Sequence, residues 1–77
     1  MTQELITLTL SQHEGLVLFE WLVRLNGSNG RVFVDQAEQR VAWDLEAMLE
    51  SQMSSVLAAD YRQRLALARD VVRDADP

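Results

Sequence analysis

His13 and the carboxylates near it come closest to acid–base chemistry. A general base needs its partner on the same face and within hydrogen-bonding reach. His13 and Glu14 are adjacent, and adjacent helical side chains point about 100° apart, so these two do not converge. Glu20 shares a face with His13, but it stands four residues before Arg24 and is expected to pair with that guanidinium. With one histidine and no cysteine, we expect no catalytic residues and no enzyme.

Three carboxylates in the middle of the chain, Asp44, Glu46 and Glu50, are of the type that binds Mg²⁺ or Ca²⁺. Only Glu46 and Glu50 share a helix face, and the Asp-x-Asp-x-Asp-Gly pattern of a calcium loop is missing. The glycines of "NGSNG", residues 26–30, lack the spacing of a phosphate-binding loop. We therefore expect a solvated acidic face and a connector, with neither a metal nor a cofactor.

Trp43 is the residue that most suggests binding. It falls nearly opposite the apolar stripe of its predicted helix, and a tryptophan outside an apolar face is costly to expose and frequent in binding hot spots. It could lie in the core, in a homodimer contact or in a contact with a foreign protein. The candidate partner-binding residues are Trp43, Glu46 and Glu50, with Asp44 at the margin.

The composition is that of a small acidic domain. The 77 residues, with 48% hydrophobic content, make one domain spanning residues 1–77. The net charge of −5 argues against nucleic acid, because phosphate binding needs a cationic surface. The longest apolar run is far shorter than the ~20 residues that span a bilayer. Met1 is followed by acidic Glu4, without the basic start of a signal peptide. We expect a cytoplasmic protein without a membrane partner.

Periodicity and capping signals predict two strands and three helices. Residues 5–10 alternate apolar residues with threonines, and residues 31–34 cluster β-branched and aromatic residues. Both patterns predict strands. Ser11 with Glu14, Asp35 with Glu38 and Asp60 with Gln63 have the spacing of helix N-caps. The predicted helices span residues 12–25, residues 36–52 and a final stretch from Asp60 to about Asp74.

The first predicted helix is apolar around most of its circumference. Its polar side chains His13, Glu20 and Arg24 form one narrow stripe, so the helix is expected to be central, with only that stripe in water. The expected core stripe of the second helix is Ala37, Val41, Leu45, Met48 and Gln52, flanked by Leu49; that of the third is Tyr61, Leu65, Ala68, Val72 and Ala75.

These elements predict an α+β fold of order β-α-β-α-α. A short two-stranded parallel sheet would lie beside three helices packed around the central hydrophobic first helix. Two strands are marginal on their own, and 77 residues are few for covering such a helix. An uncovered remainder would form a dimer or partner surface.

The stretch "ITLTLSQHEGLVLFEWLVRLN", followed by "AEQRVAWDLEAMLES", resembles short uncharacterised acidic proteins of GC-rich bacteria. No assigned activity comes with that resemblance. In size and acidity the chain is also similar to toxin-neutralising immunity proteins and phage-encoded inhibitors.

Three functions follow as hypotheses. The first is a non-enzymatic protein-binding module, for example an acidic inhibitor or immunity-type protein that its charge steers to a basic partner. The second is a homodimeric structural or interaction protein that buries its own leftover surface. The third, less favoured, is a small-molecule carrier with a pocket beside Phe19 and Trp21.

Overall fold

The protein is a three-helix arrangement, seen in a computed structural model that describes residues 3–53 and 58–74. The helices are α1 (Gln12–Asn26), α2 (Gln36–Gln52) and α3 (Tyr61–Val72). Both α2 and α3 pack against α1, which confirms that the first helix is central. The predicted helix ends agree with these bounds to within two residues.

The two predicted strands are wrong, because neither stretch forms a strand within the described residues. Most backbone N–H groups of residues 31–34 donate to turn carbonyls or to the Glu38 side chain. The N–H of Arg31 donates to Ser28 O at 3.4 Å, that of Phe33 to Gly30 O at 3.2 Å, and that of Val34 to Glu38 Oε1 at 2.9 Å. The described part of the chain is therefore helical, and the α+β fold with its two-stranded sheet is corrected to an all-helical one.

The connector between α1 and α2 is a run of turns. Asn29 and Gly30 have positive φ angles of 62° and 76°, a region that asparagine and glycine tolerate far better than other residues. This left-handed pair reverses the chain before residues 31–34 can extend, which also explains why the prediction of a short strand there failed.

The helix starts are fixed by the side chains that the spacing indicated, with one exception. At α1 the capping box is complete: the Ser11 N–H donates to Glu14 Oε1 at 2.9 Å, and the Glu14 N–H donates to Ser11 Oγ at 3.0 Å. At α2, Asp35 Oδ1 accepts from the Ala37 N–H at 2.7 Å. Asp60 makes no side-chain cap for α3. Its carboxylate accepts instead from Arg64 Nε at 2.7 Å.

The core is small and centred on α1. The buried hydrophobic residues among those described are Leu16, Leu22, Ala42, Met53, Leu65 and Ala68. Gly15 is buried as well, and a Cβ there would lie 3.1 Å from the Met53 sulfur. The glycine thus allows the end of α2 to approach α1 closely.

Two predicted helix faces need correction. The α2 stripe was expected in the core, yet Ala37, Val41, Met48 and Gln52 are exposed and the neighbouring Ala42 is the buried residue. The polar stripe of α1 was expected to be wet, but the Tyr61 hydroxyl of α3 donates to Glu20 there at 2.6 Å. In α3 the expected Leu65 and Ala68 are buried, while Ala75 lies outside the described residues.

No helix in the described part of the chain is both long and apolar enough to cross a membrane.

Candidate functional site

An open apolar groove of about 820 Å³ runs between α1 and the first half of α2. We call it the α1–α2 groove. One wall comes from α1, the other from the outward stripe of α2, and the connector closes one end. Its principal lining side chains are Trp21, Leu25, Val32, Phe33, Val41 and Leu45.

A second depression of about 380 Å³ continues from it. Leu45 lines both, so the two depressions meet at this residue. The second is bordered by Leu18 of α1, by Met48 of α2 and by Ile6, Leu8 and Leu10 of the residues that precede α1. We call the two depressions together the apolar face.

The side chains of the apolar face are far more exposed than their chemistry favours. Ile6 is 89% exposed, Leu8 79%, Val41 56% and Trp21 48%. Scattered apolar residues on a protein surface are ordinary, but contiguous ones mark interaction sites. The apolar face is contiguous, because its residues line two depressions that share a side chain.

The apolar face is almost free of charge. Of the residues that the structure describes, Glu38 is the one ionisable residue lining the α1–α2 groove. Its carboxylate already accepts from the Val34 N–H at 2.9 Å. Among the described residues, none that lines the second depression is ionisable. The surface therefore offers burial of apolar groups, with little to orient a polar ligand.

The residues predicted to bind a partner lie elsewhere on α2. Trp43 is 43% exposed and lies on the side of α2 that faces away from the groove. Glu46 and Glu50 lie on the same side. Glu46 accepts from Asn26 Nδ2 at 2.8 Å, so it fastens α2 to the end of α1. Asp44 lies 3.5 Å from Arg40 Nε in an exposed ion pair. Glu50 is exposed.

The candidate acid–base residues are not brought together as a catalytic pair. Glu20, which shares a face with His13, accepts from Tyr61, and Glu14 is used in the α1 cap. The Ser11 amide, reinforced by its hydroxyl, lowers the pKa of Glu14. Burial and the hydrogen bond to Glu20 raise the pKa of Tyr61 to about 12. Among residues 3–53 and 58–74, no group of three metal-ligating side chains forms.

The apolar face was missed from the sequence because α2 carries two apolar stripes. Ala42, Leu49 and Met53 follow one, and Val41 and Met48 follow the other. Since a single neighbouring helix covers one stripe, the presence of two is the signal that could have revealed an uncovered surface.

No protein-family model, no curated protein and no solved structure matches this chain.

Proposed function

We propose that this chain is a non-enzymatic protein-interaction module, that the apolar face is its contact surface, and that a second copy of the chain is the protein that covers it. The supporting observation is surface area. A folded monomer of 8.8 kDa is expected to expose roughly 4,800 Å², whereas this chain exposes 6493 Å². The excess of about 1,700 Å², part of which comes from the exposed residues 3–10, is larger than the ~800 Å² that each partner contributes to a standard interface.

The charge distribution favours a second copy over a basic partner at this surface. Two copies each carry a net charge of −5, so a contact between them is favourable only where acidic groups are sparse. The apolar face meets that condition, because its one carboxylate is engaged in a cap. A cationic partner would find no free counter-charge in the groove.

A second candidate function is binding of a basic protein through the Trp43 side of α2. The half-exposed Trp43 and the exposed Glu50 support it. Two of the other candidate acids already have partners within the chain, Asp44 in Arg40 and Glu46 in Asn26. We rank this function second for that reason.

A small-molecule carrier is less well supported. Of the two residues that this hypothesis named, Trp21 lines the groove and Phe19 does not. The volume of the groove falls within the range of small-molecule sites. Such sites combine apolar walls with a few convergent polar groups, and the bonded Glu38 is a poor substitute for them. We keep the cytoplasm as the proposed location, with no nucleic acid or membrane as partner.

The proposal is tested by molar mass and one matched pair of variants. Light scattering over a concentration series should give twice the 8.8 kDa chain mass. Val41→Glu places a charge on an exposed position of the groove wall. Ala47→Glu places the same charge on an exposed position of α2 on the Trp43 side.

Val41→Glu should weaken self-association by about 2 kcal/mol or more, because it buries an unpaired carboxylate in the contact. Ala47→Glu should leave self-association unchanged. A monomeric wild-type chain at every concentration would refute the proposal. Disruption by Ala47→Glu but not by Val41→Glu would move the interface to the Trp43 side.

A further inference from the structure

Residues 3–10 precede α1, have no regular secondary structure and border the apolar face. We call them the N-terminal segment. Ile6, Leu8 and Leu10 alternate with Thr7 and Thr9, and the three apolar side chains line the second depression. Within residues 3–53 and 58–74, no backbone hydrogen bond reaches the N-terminal segment. An apolar side and an unpaired backbone edge are therefore both left open.

The strand that the sequence predicted as its neighbour cannot close that edge. Three of the four amides in residues 31–34 already donate, those of Arg31 and Phe33 to turn carbonyls and that of Val34 to Glu38. The helical walls of the apolar face cannot pair with it either, because helix interiors use their own N–H and C=O groups. Burying an extended backbone against those walls would leave polar groups unsatisfied.

We propose that two copies pair their N-terminal segments with each other, as an antiparallel two-stranded ribbon that lies over both apolar faces. This inference rests on the proposed homodimer and names the element that builds it. Pairing satisfies the inner edge of each segment, while the outer edge remains in water. Strand addition of this kind is a common mode of recognition by extended segments.

The alternation of side chains restricts the register of such a ribbon, and we place its two-fold axis at Leu8, the middle one of the three apolar residues. Side chains of a strand alternate between faces, so only an even register keeps the apolar residues of both copies on one side. A two-fold axis at Leu8 sets Leu8 opposite its own copy, Ile6 opposite the partner's Leu10, and Thr7 opposite the partner's Thr9. The apolar residues then face the helices, and threonines, which suit paired strands, face the solvent.

The charges agree with this register. Residues 5–10 carry no ionisable group, and Glu4 is the one acid of the N-terminal segment. In the antiparallel ribbon the two Glu4 residues lie at opposite ends, about 26 Å apart at roughly 3.3 Å per residue. That separation exceeds the Debye length of about 8 Å at physiological salt, so their repulsion is screened.

The chain has no cysteine, so introduced thiols report single contacts. Thr7→Cys and Thr9→Cys are made separately in the full chain, unfolded together in urea, refolded as an equimolar mixture and oxidised with glutathione disulfide. Each new disulfide forms as two protein thiols are oxidised and one glutathione disulfide is reduced to two glutathione thiols. Intact mass under non-reducing conditions identifies the cross-linked species.

The mixture should give a disulfide between position 7 of one copy and position 9 of the other, in about half of the dimers if subunits pair at random. Either variant alone should give little cross-linking, because its thiols are diagonal to each other across the ribbon and too far apart for a disulfide. Efficient self-linking of Thr7→Cys, or a dimer without the 7–9 disulfide, would overturn the ribbon in this register but not the homodimer. A monomer would overturn both.

A pair of charge variants tests the two sides of the N-terminal segment without cysteine chemistry. Leu8→Asp sets two carboxylates opposite each other at the two-fold axis and should raise the dimer dissociation constant by at least about 100-fold. Position 9 faces the solvent in the ribbon, so Thr9→Asp should change the dimer dissociation constant by less than about tenfold. Both positions are exposed in the protomer, so protomer folding is preserved. Equal effects of the two variants would refute the proposed orientation.

Discussion

Tyr61 offers a direct test of how α3 is attached to α1. Its hydroxyl donates to the Glu20 carboxylate at 2.6 Å, which is the short distance typical of a charge-assisted hydrogen bond. Such bonds contribute about 1.5–3 kcal/mol when buried. Since both partners are only half-buried, we expect the lower end, so Tyr61→Phe should reduce the free energy of unfolding by about 1–1.5 kcal/mol.

The pKa of the same group gives the pH dependence. Burial first, and then the hydrogen bond and the negative charge of Glu20, raise the pKa of Tyr61 from 10.0 to about 12, against a smaller opposing effect of Arg69. The folded protein thus holds this proton more tightly than the unfolded chain does. The stability from this group is fully present below pH 10 and is lost as the pH rises towards 12.

Tyr61 is the sole tyrosine, so the ultraviolet absorbance of tyrosinate reports this site alone. The folded protein should titrate near 12 and the urea-unfolded chain near 10. Glu20→Gln should bring the folded value down towards that of the unfolded chain, because the acceptor loses its charge. Glu50→Gln, which removes an exposed acid of α2, is the control and should leave it unchanged. A folded Tyr61 that titrates near 10, or a Glu20→Gln variant that titrates as the wild type does, would refute the proposed attachment.

Two further comparisons use urea unfolding at a fixed protein concentration. Ser11→Ala should lower the free energy of unfolding by about 1 kcal/mol, because the capping box loses one of its two hydrogen bonds. Asp60→Ala should lower it by about 0.5 kcal/mol or less, because it removes only an exposed ion pair. Equal losses would mean that Asp60 caps α3 after all. Leu22→Ala should lower the free energy of unfolding by about 2–5 kcal/mol, because that side chain is buried. Trp21→Ala in the isolated protomer should lower it by less, because half of that side chain is already in water. The reverse order would place the core on the other side of α1.

The helices were predictable because their signals are local. Ser11 with Glu14, and Asp35 followed by an apolar-periodic run, identify helix starts from a few neighbouring residues. The strands were not predictable in the same way. Strand pairing depends on a partner distant in sequence. The N–H groups of residues 31–34 instead donate to nearby turn and side-chain oxygens, and the sequence pattern does not reveal these hydrogen bonds.

The candidate site was only partly predictable. An uncovered surface on a central helix was expected, but the sequence directed attention to Trp43 and its acidic neighbours. Apolar periodicity identifies which residues share a helix face, and it does not say which of two such faces meets α1. Val41 and Met48 were assigned to the core on that basis, and they instead line the apolar face.

The small core and the proposed dimer are consequences of one feature of α1. A helix that is apolar around most of its circumference needs neighbours on several sides. Among the described helices, α2 and α3 are the two that pack against it. The remaining side, which includes Trp21, can be covered only by more protein. A second copy supplies that cover without any further sequence, and its N-terminal segment brings apolar side chains to the uncovered surface. In this arrangement, association completes the burial that folding begins, so the stability of the protomer and the affinity of the dimer are expected to be linked.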